Sequence, residues 1–253
     1  VLAYGAPYDN HLGIPGEDKK NVFGSNAFVG WYNCHPEFLD LNPDLDVKAA
    51  AVIGLGNVAV DVARVLAKTK KEMSITDLAP YAGEAIEASP IEDIHIFGRR
   101  GPIEGAFTNV ELREMGHLEN CAPILDATQL PDVVVAPQMS ERDLRLRTKN
   151  VETLRSFLDV SPKGKDKRLH FTFFASPVEI LGEDRVEGLR LEHTRVEDGR
   201  CIHTGETFEV ACGMVITCVG SRAEPIDGVP FDDHRGIVVH KEGQVRPGLY
   251  AAG

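Results

Sequence analysis

No stretch of this 253-residue chain approaches the roughly 20 consecutive apolar residues of a bilayer-spanning helix, so no membrane span is expected. Paired cysteines are missing too. Cys34, Cys121, Cys201, Cys212 and Cys218 are scattered and none forms C-x-x-C, which argues against a dithiol redox pair and a zinc ribbon. They read as free thiols in a reducing cytoplasm, Cys34 and Cys218 as small buried apolar residues, and no metal site is expected. Positive charge is in deficit: 27 lysines and arginines face 39 aspartates and glutamates, a formal net charge of −12. Nucleic acid is therefore a poor partner, because neutralising phosphates requires a basic face. An acidic chain can still carry a local basic patch. There is no internal repeat or low-complexity block. The opening VLAYGAPYDN has no basic leader, and like the closing GLYAAG it resembles mid-fold sequence, so both ends are expected to be cut from a longer chain.

What remains is an ordinary globular composition, 43% hydrophobic and 26% charged, with length enough for a real core. VLAYGA reads as a short strand and AFVGWYN as an apolar patch that packs. AAAVIGLGNVAVDVARVLA passes from a continuous apolar run into helical spacing, with Val58, Val62, Val65 and Leu66 on one face. This is strand, glycine turn, helix. Residues 69–92 form a polar, partly helical excursion before the next strand, IEDIHIFG. TNVELREMGHL starts a helix with Thr108 as N-cap and Glu111 three residues on, a capping box. CAPILDA reads as a third strand, and residues 140–158 as a charged helix with Leu144, Leu154, Phe157 and Leu158 inward. Then RLHFTFFASPVEIL, RVEGLRLEHTRVE and TGETFEVACGMVITCVG read as strands, with the apolar MVITCVG returning to the main sheet, and residues 221–253 as a loop and two short strands. The alternation predicts an α/β, Rossmann-like doubly wound domain with a small antiparallel β insertion.

GLGNVA sets Gly54, Gly56 and Ala59 in the pattern G-x-G-x-x-A between a predicted strand and a predicted helix, the context that gives the spacing meaning. Gly54 permits a tight turn, and Gly56 lets the backbone approach a pyrophosphate. Ala59 allows close packing of helix on strand, and the N–H groups near Asn57 and Val58 face phosphate oxygens. The alternative is a glycine turn with no ligand. At the tip of the next strand a carboxylate would hold a ribose 2′-OH and select NAD. Here Arg99 and Arg100 stand there, and guanidinium groups suit a 2′-phosphate. NADP(H) is the coenzyme expected, a solvated basic turn the alternative. Gly56 and Arg99 lie further apart than the usual roughly 20 residues, so residues 69–92 are expected to be an insertion.

FVGWYN, GLGNVAVDVAR, GRRGPIEGAFT, ELREM and PGED together closely resemble the adrenodoxin-reductase type of ferredoxin–NADP reductase, over nearly the whole chain. In that family an NADPH domain interrupts an FAD domain in sequence. The resemblance implies an NADP(H)-binding domain at 6–220, with 1–5 and 221–253 as remnants of the FAD domain. FAD would belong to the full-length protein and not be bound to this chain. It further implies a pyrophosphate site at Gly56–Asn57–Val58, a 2′-phosphate clamp at Arg99 and Arg100, and a coenzyme contact at Glu111. Asp61 and Glu114 resemble acidic residues near the hydride-transfer site, working with a histidine of the FAD domain. The implied partner is an acidic ferredoxin-like iron–sulfur protein, for which Arg113, Arg145, Arg147 and Lys149 are candidate docking residues. Three positions depart from the pattern: Asn10 where arginine is common, Leu55 inside the G-x-G, and Ser221 where an aromatic is common. Two alternatives stay open: an NADPH oxidoreductase of glutamate-synthase β-subunit type, and a non-catalytic NADPH-binding module.

Overall fold

The structure is a computed structural model that describes residues 1–135 and 139–252. Strand β1 (Val22–Gly24) leads into helix α1 (Ser25–Tyr32), and β2 (Ala49–Ile53) into α2 (Asn57–Ala67). The expected excursion holds two short helices, α3 (Lys70–Met73) and α4 (Pro80–Ala88), before β3 (Asp93–Phe97). Next come α5 (Asn109–Glu114), β4 (Cys121–Leu125), α6 (Glu141–Ser156) and β5 (Lys167–Thr172). Strands β6 (Ala175–Leu181), β7 (Gly188–Glu197) and β8 (Arg200–Ala211) precede β9 (Met214–Thr217). Among the described residues no helix is long and apolar enough to cross a membrane.

Six strands form one parallel sheet in the order β1-β9-β2-β3-β5-β4. Parallel strands are covered on both faces, which is why AAAVI and MVIT read as unbroken apolar runs. On one face Ala50, Val52, Ile94, Ile96, Leu169 and Ile216 share a core with Val62 and Leu66 of α2, Leu112 of α5 and Leu154 of α6. On the other, Ala51, Ile53, Phe97 and Val215 share a second core with Ile180, Leu189 and Leu191. Those last residues belong to β6-β7-β8, an antiparallel three-stranded sheet. The α/β domain with a small antiparallel insertion is thus present, and the insertion covers one face of the parallel sheet.

Several local expectations are corrected. RLHFTFFASPVEIL is two strands: β5 runs inside the parallel sheet between β3 and β4, and β6 begins the insertion. The chain turns the corner at Phe174, which takes φ 54°, a left-handed backbone that no glycine announces. Val58 is 47% exposed although its spacing puts it on the apolar face, because the first turn of α2 lies open. Leu158 is likewise exposed and Leu144 half-buried, while Leu154 and Phe157 are buried. VLAYGA forms no strand, only a bridge between Leu2 and Ala251. Residues 221–253 hold more than two short strands, from Ser221–Arg222 through Phe231–Asp232, Ile237–Val238 and Gln244–Arg246 to Leu249–Tyr250. Cys34 is exposed, at φ 62°, whereas Cys218 is buried.

Candidate functional site

The strand order changes direction at β2, with β3, β5 and β4 on one side and β9 and β1 on the other. Open α/β sheets bind ligands outside the carboxyl ends of the strands at such a point. Gly54 leaves β2 there with φ 140°, and a Cβ on it would overlap the Cys218 carbonyl oxygen. Only glycine fits. Its N–H donates to the Phe97 carbonyl at 2.9 Å, tying the turn to the end of β3. Gly56 is the N-cap of α2 and has open space where a Cβ would stand. No side chain caps α2, so its first N–H groups and the positive end of its dipole face outward. Ala59 is fully buried, and the Leu55 side chain lies over Gly98, away from the open turn.

The Asn57 side chain ties the glycine turn to α5, its Oδ1 accepting the Thr108 N–H at 2.6 Å. That bond takes the donor a capping box would give to Glu111, and the Thr108 side chain caps nothing, so the expected box does not form. Among the described residues the Glu111 carboxylate has no partner, and its Oε2 is buried. An unpaired buried oxygen is costly unless a ligand or solvent completes it.

Arg99 is exposed and Arg100 half-buried on the turn after β3. Among the described residues the ion-paired arginines are Arg64, Arg145, Arg168, Arg185, Arg190 and Arg195, so both guanidinium groups of the turn are free. Beside the turn lies a cavity of about 560 Å³ whose lining includes Gly101, Pro102, Leu130, Pro131, Phe174 and Thr194.

Asp61 and Glu114 are brought together by a residue the sequence did not single out. The Arg64 guanidinium bonds Asp61 through Nη2 and Glu114 through Nη1. The Tyr32 hydroxyl adds a bond to Asp61 Oδ2 at 3.1 Å. Burial first, then the neighbouring Asp61 charge, holds the Tyr32 hydroxyl well above its ordinary value, so it stays a proton donor. Burial works against the Arg64 charge, but the bonds to Glu114 and Asp61 outweigh it and raise its pKa. The spacing D-x-x-R was the available signal, yet i,i+3 pairs of this kind are common on solvated helices. Of the four candidate docking residues, Arg147 bonds the Gly105 carbonyl and is committed to the fold. Arg113, Arg145 and Lys149 are exposed, Arg145 leaning on Glu141 at 3.4 Å.

No protein-family profile matches the chain. It is 36% identical to the NADPH-ferredoxin reductase FprA of Mycobacterium tuberculosis over 260 residues, which cover 100% of this chain and 57% of that protein. It is 38% identical to the mitochondrial NADPH:adrenodoxin oxidoreductase of Bos taurus over 271 residues, all of this chain and 54% of that one. The solved structure of Mycobacterium tuberculosis FprA in complex with NADPH superposes with a TM-score of 0.90 at 37% identity, covering 99% of this chain and 56% of that one. Over its whole length the chain resembles the adrenodoxin-reductase type of ferredoxin–NADP reductase. It spans a little over half the length of the family members it matches. The parallel α/β fold is shared with these reductase structures.

Proposed function

We propose that this chain is the NADP(H)-binding part of a flavoprotein that moves hydride from NADPH to FAD and electrons on to a ferredoxin-like iron–sulfur protein. The observation that carries it is the pair of guanidinium groups, Arg99 and Arg100, with no ion-pair partner among the described residues, one strand away from an uncapped helix N-terminus behind Gly56. Gly54 and Ala59 shape the turn, and the N–H groups at Asn57 and Val58 take the pyrophosphate. Arg99 and Arg100 take the 2′-phosphate, with the neighbouring cavity leaving room for the nucleoside that bears it. Glu111 offers its orphaned oxygen to a coenzyme hydroxyl. When bound, the coenzyme supplies the hydride; this chain binds it, orients it and holds protons nearby. Asp61 and Glu114 would be the acidic groups near the transfer site, fixed in place by Arg64 and Tyr32.

Residues 6–220 form the coenzyme domain in this proposal, and 1–5 with 221–253 are the returning flanks of the flavin domain. The bridge of Leu2 to Ala251 supports it by bringing the two flanks together. Arg113, Arg145 and Lys149 are the side chains left for an acidic partner, and the five free cysteines suit a reducing cytoplasm. The test uses the full-length protein with its flavin. NADPH should bleach the flavin absorbance and drive reduction of an added acidic ferredoxin, and NADH should do so far more slowly. A flavin that NADPH leaves oxidised would overturn the proposal.

A further inference from the structure

The antiparallel insertion does more than cover one face of the parallel sheet: it grips the arginine turn. Three successive carbonyls of that turn accept bonds from it or from the corner that starts it. Gly98 O takes the Ala175 N–H at 2.9 Å, and Arg100 O the Phe174 N–H at 3.2 Å. Between them Arg99 O takes two side-chain donors from the β7–β8 hairpin, Thr194 Oγ1 at 2.8 Å and Cys201 Sγ at 3.1 Å. Thr194 is only 6% exposed, and its own N–H donates to Phe174 O at 2.8 Å. The β7–β8 ladder shifts register between Glu192 and Thr194, an irregularity of the kind that re-aims a side chain. A peptide unit is planar, so holding the Arg99 carbonyl fixes the plane joining Arg99 to Arg100. That plane is shared by both residues, so it constrains the directions in which both side chains leave the backbone.

We propose that Thr194, assisted by Cys201, is a positioning residue that sets preference for a 2′-phosphorylated coenzyme by fixing the Arg99–Arg100 peptide. The proposal rests on the coenzyme assignment above. A strand position at 6% exposure would hold valine as well as threonine, and what the hydroxyl adds here is the bond to Arg99.

The experiment is calorimetric titration of the chain with NADP+ and with NAD+, in wild type, Thr194→Val, Thr194→Ser and Cys201→Ala, with thermal melting of each. Losing one buried hydrogen bond that orients the clamp should weaken NADP+ binding about three- to tenfold in Thr194→Val and weaken NAD+ binding by a clearly smaller factor, since Thr194 also lines the cavity beside the turn. Thr194→Ser should restore the preference, and Cys201→Ala should lower it by a smaller factor. A preference that survives Thr194→Val in a folded protein overturns this inference alone. Equal weakening of both coenzymes also overturns it, since the residue would then act only through stability. A wild-type chain with no preference for NADP+ overturns the parent assignment as well.

Discussion

Acidification should weaken the fold through one side chain, His95 of β3. Its ring stacks on His170 with centroids 4.5 Å apart and on Phe97 at 5.7 Å. His170 Nε2 meets Asp93 Oδ1 at 2.7 Å, and Asp93 accepts two bonds from Arg168 at 2.6 and 2.7 Å. Burial, then the positive charge of His170, brings His95 down from 6.5 to about 4. Between those values the unfolded chain binds a proton that the folded chain refuses. Stability is therefore complete above pH 6.5 and is lost as pH falls towards 4. At pH 4.5 the loss is about 2.5 kcal/mol as an upper value and about 1 kcal/mol after allowing for partial solvent screening. Asp93, held well below its ordinary 3.8 chiefly by the Arg168 bond, adds a loss in the same direction only at lower pH. Urea unfolding at pH 7 and 4.5 measures the effect, and His95→Phe isolates it by keeping the stacked ring without the titration. Wild type should lose about 1–2.5 kcal/mol more than His95→Phe between the two pH values. Equal losses would refute the assignment of a half-buried, neutral His95.

Arg64→Met removes the cation between two carboxylates that are 37% and 45% exposed, and should cost about 1–2 kcal/mol in urea unfolding. Arg64→Lys should recover less than half of that, because one ammonium cannot fork to both partners. The two turn glycines should separate stability from binding. Gly54→Ala, strained at φ 140° and overlapping Cys218, should destabilise by about 2 kcal/mol or more. Gly56→Ala has open space, so melting should change little while NADP+ affinity falls. Thiol titration of the native chain should find Cys34 fast and Cys201 slower. Cys121 and Cys212, pushed up to about 12 by burial, and Cys218, pushed higher still, should react only on unfolding.

The strand–glycine turn–helix was legible because its requirements are local. Gly54 must be glycine where β2 meets β9, and the helix that follows declares itself by spacing. The position of Arg99 and Arg100 just past the strand tip was legible for the same reason. The misses share the opposite cause, long-range contacts that local pattern does not encode. Thr108 and Glu111 have the right spacing for a capping box, but Asn57, 51 residues away, takes the donor. Phe174 adopts a left-handed backbone without glycine, so the corner between β5 and β6 hid inside one apolar run. Arg64 looked like half of a solvated helix pair until α5 brought Glu114 to its other side. Thr194 and Cys201 lie 95 and 102 residues from the carbonyl they hold, beyond any motif.

The most direct test of the coenzyme assignment is titration of the chain with NADP+ and NAD+, repeated in Arg99→Ala/Arg100→Ala. Two charge-assisted contacts to a 2′-phosphate should make NADP+ bind about 10- to 100-fold more tightly than NAD+. The double variant should bind both alike, at the wild-type affinity for NAD+. Equal binding of the two coenzymes by the wild-type chain would leave the fold intact and contradict the clamp.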